Sequence, residues 1–158
     1  MTTILKDSNN ILMTQGGYDA LLEELKTLIE VQRPAVVQAI QDARAMGDLS
    51  ENGMYTAARE KQAFLEGRIR EVEDLIKRAE IAAKTTRNEV SLGSHVKVQS
   101  DKDVLEYYVV SPEEVDFKTN KISHESPLGQ ALMGKKLNEE FNVTAPVGIK
   151  KYKIIEIK

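Results

Sequence analysis

The side chains best placed to do chemistry in this chain are two carboxylates, Asp48 and Glu51, three residues apart in Gly47-Asp48-Leu49-Ser50-Glu51-Asn52. The simplest chemistry open to them is structural. With Asp48 as N-cap and Glu51 three residues on, the segment is a variant capping box that opens a helix near Ser50, and Gly47 ends the preceding helix in a left-handed cap. Acids at a helix start also face the positive end of its dipole. Other reactive residue types are sparse. His95 and His124, the two histidines, lie far apart without acidic or cysteine companions at ligand spacing, and read as surface or core residues. No cysteine is present, which removes disulfide frameworks and thiolate metal sites and suits a reducing compartment.

Two long helical patterns meet at the acidic segment and must position it. Downstream, Tyr55, Ala58, Gln62, Leu65, Ile69, Val72, Ile76, Ala79 and Ala83 alternate steps of three and four, broken only by Gln62 and flanked by Glu66, Arg70, Glu73 and Lys77. That is a coiled-coil seam, and alone it would leave its apolar stripe in water. Upstream, Tyr18, Leu21, Leu25 and Leu28 repeat the spacing, then Val36, Ile40 and Ala43 resume it eight residues after Leu28. The extra residue shifts the register and Pro34 removes a backbone donor, so a kink or short break is expected near Arg33-Pro34. Thr14 is the expected N-cap of the first arm, with Gly16 and Gly17 weakening its first turn. The short link around Gly47–Ser50 requires an antiparallel hairpin over residues 14–83. Arms of roughly 30 residues at about 1.5 Å each give a rod on the order of 45 Å, with the acids at its tip.

After Ala83 the pattern changes. Residues 84–90 read as a polar linker, and residues 91–158 as a small antiparallel α+β domain. Its strands are expected around 95–98, 104–110, 140–144 and 150–157, with breaks at Gly93-Ser94, Ser111-Pro112, Ser126-Pro127 and Pro146-Val147-Gly148 and one short helix over 127–134. Residues 1–13 carry no pattern and are expected to be mobile. The formal charge of −3 argues against a general nucleic-acid binder. The hairpin segment has net charge −4 and residues 84–158 net +1, so any nucleic-acid contact is expected to be local and guided by another partner. There is no apolar run of membrane-spanning length and no signal-peptide layout at the N-terminus, so a soluble cytoplasmic protein is expected.

Several of these residues together resemble a known family. The tip, followed by Tyr55, Ala57-Ala58-Arg59-Glu60 and Glu66-Gly67-Arg68-Ile69, is similar to the bacterial Gre transcript cleavage factors. Arg33-Pro34, Asp116, Asn120, Ile122-Ser123, Ser126-Pro127-Leu128-Gly129 and Leu132-Met133-Gly134-Lys135 extend the likeness over nearly the whole chain. The resemblance implies a coiled coil inserted into the secondary channel of RNA polymerase, followed by an FKBP-like domain that docks on the polymerase. It implies that Asp48 and Glu51 help hold a shared magnesium in the polymerase active site and orient water for attack on backtracked RNA. Two carboxylates on a solvated tip cannot hold magnesium tightly alone, so no cofactor is expected on the isolated chain. The polymerase would be the enzyme and this chain its stimulator, expected as a monomer with no small-molecule substrate of its own.

The resemblance also places Arg44, Arg59, Tyr55 and Asn52 where they could meet the 3′ end of the RNA or the channel wall. For the arginines the alternative is a solvated helix charge paired with neighbours such as Asp42 or Glu60, and for Tyr55 it is seam packing. Two departures stand out. Gly53-Met54 replaces the family's Ala-Glu, loosening the tip and removing an acid, and Pro146-Val147-Gly148 replaces Pro-Gly-Gly. The first motivates an alternative in which the chain occupies the channel and inhibits without cleavage. A prolyl isomerase reading rests on the implied fold alone, and Tyr107, Tyr108, Phe117, Phe141 and Tyr152 are few aromatics with which to line a proline pocket.

Overall fold

A computed structural model describes residues 9–48, 52–83, 85–101 and 103–158, and the chain divides into two compact units. One is Tyr18–Ala79; the other joins the residues up to Gly17 with Glu80–Lys158.

The first unit is a helical hairpin. Its first arm is α1 (Gln15–Thr27), a π-helical turn (Leu28–Gln32) and α2 (Arg33–Ala45), and its second is α3 (Gly53–Arg78). The eight-residue step from Leu28 to Val36 is absorbed in the π turn, where the Arg33 N–H donates to the Leu28 carbonyl five residues back. One extra residue in one wide turn leaves the apolar face in phase, so the expected break is a local widening between helices. Pro34 sits in the first turn of α2, where its missing N–H is tolerated. Leu28, Val36, Ile40, Ala58, Leu65, Ile69 and Val72 form the core of this unit, with Leu21, Leu25, Ile29, Tyr55 and Ile76 packed against it. Each fully buried aliphatic side chain stabilises the pair by roughly 1.5–3 kcal/mol. Two bidentate ion pairs join the arms, Arg33 to Glu66 and Arg68 to Glu24, with N–O distances of 2.6–2.9 Å.

The predicted seam runs too far at its C-terminal end. α3 stops at Arg78, and Ala79–Ile81 forms a strand (β2) paired with Ile11–Met13 (β1). The expected mobile segment 1–13 is therefore corrected over its last residues: Met13 is completely buried, and its carbonyl accepts from Ala82 N at 2.8 Å. Residues 1–8 lie outside the described residues. Thr14 caps α1 as expected, its hydroxyl accepting from Gly17 N at 3.0 Å. The same hydroxyl donates to Glu114, whose carboxylate also takes the Thr14 N–H at 2.9 Å and the Ser111 hydroxyl at 2.8 Å. A Cβ on Gly17 would fall 2.2 Å from the Glu114 carboxylate, so that side chain would have to swing aside and give up its present bonds to Thr14.

The second unit is built on a five-stranded sheet in the order β5-β4-β3-β7-β6, comprising β3 (His95–Ser100), β4 (Asp103–Val110), β5 (Lys121–Ser123), β6 (Glu140–Ala145) and β7 (Gly148–Ile157). The expectation of an antiparallel domain is corrected at one edge. β5 runs parallel to β4, pairing Tyr108 with Lys121 and Val110 with Ser123, after a crossover through two 3₁₀ turns. The short helix α4 (Pro127–Leu132) is capped by Ser126, which accepts from Gly129 N. Val90, Val96, Val98, Val109, Leu132, Phe141, Tyr152, Ile154 and Ile157 form the core. Val90 anchors the end of the expected linker 84–90: it is 1% exposed and exchanges backbone bonds of 2.8 Å with Gly134 and Lys135. At Pro146-Val147-Gly148 the positive φ of 126° falls on Gly148, so valine fits where the family has glycine.

Candidate functional site at the hairpin tip

The tip lies where α2 ends and α3 begins. Met46 N donates to Ala43 O and Gly47 N to Arg44 O, closing the last turn of α2, and Gly47 then takes a φ of 115° that a side chain would strain. Asp48 follows on the exposed surface. Glu51, the second candidate acid, lies outside the described residues, together with Leu49 and Ser50.

The expected cap is in the wrong place. α3 opens at Gly53 rather than near Ser50, and its N-cap is Asn52 rather than Asp48. Asn52 Oδ1 accepts from Met54 N at 3.1 Å and Tyr55 N at 3.2 Å, while Nδ2 donates to Ala43 O at 2.7 Å. Asn52 was a candidate for RNA or channel contact, and its amide is committed to the protein's own backbone. The signal that could have placed the cap is asparagine directly before the first residue of the downstream seam's opening turn, since asparagine and aspartate are about equally good N-caps. The Asp48-to-Glu51 spacing masked it by offering a second register.

The other candidates sort by their contacts. The Arg44 guanidinium lies over the Tyr55 ring, 5.8 Å from its centre, so its neighbour is an aromatic face on the opposite arm. Asp42 instead accepts from Gln38 Nε2 at 2.8 Å. Arg59 reaches along its own helix to Gln62 Oε1 at 2.9 Å, which satisfies the one polar residue of the seam. Tyr55 packs half-buried against the hairpin core and carries the arginine on its ring. Met46 and Met54 flank the site at 66% and 60% exposure. The structure thus brings Arg44, Asn52 and Tyr55 together where α2 ends and α3 begins, with Arg59 further down α3.

The histidines take structural roles. His95 Nε2 lies 3.1 Å from Glu106 Oε2 and its ring stacks on Tyr108 at 4.3 Å, while His124 Nδ1 meets the Val110 carbonyl at 3.2 Å. Among the described residues no three His, Asp or Glu side chains converge on a metal-sized site, and no helix is long and apolar enough to cross a membrane.

Known proteins match both parts of the chain. A family model described as "Transcription elongation factor, N-terminal" matches residues 11–81, and one described as "Transcription elongation factor, GreA/GreB, C-term" matches residues 84–158. Transcription elongation factor GreA of Thermodesulfovibrio yellowstonii is 45% identical over 154 residues, covering 95% of this chain and 98% of the relative. GreA of Trichlorobacter lovleyi is 44% identical over 155 residues, covering 96% and 98%. Among solved structures, the GreA factor homolog 1 protein of Thermus thermophilus aligns over 94% of this chain and 99% of its own, at 27% identity and a TM-score of 0.45.

Proposed function

The chain belongs to the GreA/GreB family of transcription elongation factors, and from that premise we propose that it acts on RNA polymerase by carrying Asp48 and Glu51 to the polymerase active site, where they stimulate cleavage of backtracked RNA. The observation that supports this reading most directly is the exposed carboxylate of Asp48 at the turn of a hairpin whose second arm is 26 residues long. At about 1.5 Å per residue that arm spans roughly 39 Å, a reach suited to entering a channel.

The donor set fits a shared magnesium ion. Carboxylate oxygens are the hard ligands magnesium takes, and two of them complete part of an octahedron whose remainder comes from the polymerase and water. Such an ion, when bound, supplies Lewis-acid activation of water and neutralises charge at the phosphodiester. Asp48 and Glu51 would hold it and orient the attacking water by accepting hydrogen bonds. Arg44 and Arg59 would face the RNA phosphates, with Tyr55 holding the Arg44 side chain in place. The chain is then a stimulator and the polymerase the enzyme. Inhibition without cleavage, the alternative raised by Gly53-Met54, is not favoured: both relatives are named elongation factors, and Asp48 is present and exposed.

The test is RNA shortening in a stalled, backtracked elongation complex. Asp48→Ala and Glu51→Ala should each slow cleavage on the order of 100-fold, the effect of deleting one electrostatic group from a reacting centre. Stimulation by Asp48→Ala equal to that of the unsubstituted chain would sink the proposal.

A further inference from the structure

Asn52 uses every polar atom of its side chain. Two N–H groups of α3 point at Oδ1, and the Ala43 carbonyl of α2 receives Nδ2 at 2.7 Å. Reversing the amide would set N–H against N–H and oxygen against oxygen, so chemistry fixes its orientation. Oδ1 closes the N-terminus of α3, an ordinary cap. The bond from Nδ2 is different in kind, because it spans nine residues and ties the end of one arm to the start of the other. Asp48 lies between the two tied points. The Arg44–Tyr55 contact crosses between the same helix ends.

We propose that Asn52 is a positioning residue: its Nδ2–Ala43 bond ties the two helix ends on either side of Asp48 and helps hold that carboxylate where a shared metal site needs it, a role separable from capping α3. This rests on the functional reading above. Groups that must meet a reacting centre are intolerant of displacement, and a shift of about 1 Å can lower a rate by about 100-fold. Loss of the tie removes one restraint on the position of Asp48.

Two substitutions separate the roles. Asn52→Asp keeps an oxygen for Met54 N and Tyr55 N, and places a negative charge at a helix start, but turns an acceptor toward the Ala43 carbonyl. Asn52→Ser keeps a capping hydroxyl too short to serve both helices. Both should retain the helix content of the unsubstituted chain, slow amide exchange at Met54 and Tyr55, and full competition for polymerase binding. At saturating factor both should cleave backtracked RNA about 10-fold or more slowly and need more magnesium for the half-maximal rate.

Full cleavage at unchanged magnesium dependence in either variant overturns the inference. So does a loss that tracks faster exchange at Met54 and Tyr55 or weaker polymerase binding, because Asn52 then acts through folding alone. Asp48→Asn runs alongside. If it is as active as the unsubstituted chain, the functional reading itself fails; if it is inactive while both Asn52 variants are active, only the positioning role is lost.

Discussion

At the residue scale, two glycines inside helices make opposite demands. A Cβ on Gly129 in α4 would fall 2.0 Å from the Ser123 carbonyl oxygen and 2.8 Å from His124 Cα, both backbone atoms that cannot swing aside. Gly67, near the middle of α3, has nothing within 4 Å of its Cβ position. Gly129→Ala should therefore destabilise the chain by about 1–3 kcal/mol or more, as overpacking does, whereas Gly67→Ala should stabilise it by about 0.5–1 kcal/mol through helix propensity. Thermal melts of the two variants check both signs, and a neutral Gly129→Ala would refute the close approach. Sequence reasoning could pick out Gly129 only as part of a family motif, because the clash is made by the end of β5 brought close in space. The exposed place of Asp48 was legible for the opposite reason: it lies in a break between two strong periodic patterns. Asn52 was legible as a cap in principle and was missed because Asp48 and Glu51 offered a competing local pattern.

At the element scale, the hairpin was readable because a seam repeated over about four heptads outweighs any local preference. The strands β1, β2 and β5 were not. Each is three residues long, too short for an alternating pattern, and each exists because a distant segment supplies its hydrogen-bond partner. The π turn falls between these cases: the eight-residue step revealed an extra residue, but not that widening one turn would absorb it without a break. That account makes a prediction about deletions. Removing Val31, which is 63% exposed within the π turn, leaves a seven-residue step from Leu28 to Val36, so an ordinary α-helix keeps both residues in the seam and both inter-arm ion pairs in reach. Its melting temperature should equal or exceed that of the full chain. Removing Ala39, an exposed residue of the regular helix α2, rotates Ile40 and Ala43 relative to Val36 by about 100° and should cost about 2–5 kcal/mol, the range for losing buried aliphatic packing. If the Val31 deletion proved the more damaging, the π turn would be a required feature rather than an absorbed insertion.

At the scale of the whole molecule, the division into a helical unit and a sheet unit followed from the change of apolar period, and the charge pattern gives that division a measurable consequence. Glu156 accepts hydrogen bonds first from Lys158 and then from Lys97, which together hold its carboxyl down at about 2 from an ordinary 4.5. Glu106, paired chiefly with Lys97, Glu139 with Lys135 and Glu140 with Lys151 are lowered in the same unit, and in the hairpin Glu66 is lowered by its bond to Arg33. A carboxylate with a depressed folded-state pKa stabilises the fold above its unfolded value and loses that contribution as pH falls through the folded one. For Glu156 the window runs from about 4.5 down to about 2. The melting temperature should therefore be nearly level from about pH 7 to 5 and fall progressively below about pH 4.5, with most of the Glu156 contribution lost only near pH 2. Because these pairs are at least partly exposed, added salt should narrow the difference between neutral and acid conditions. Glu156→Gln should lower stability at about pH 7 and flatten the acid limb, since the variant has no proton to take up there. An acid limb unchanged in Glu156→Gln would mean that the loss comes from other carboxylates, and comparing it with Glu66→Gln would then show whether the hairpin or the sheet unit gives way first.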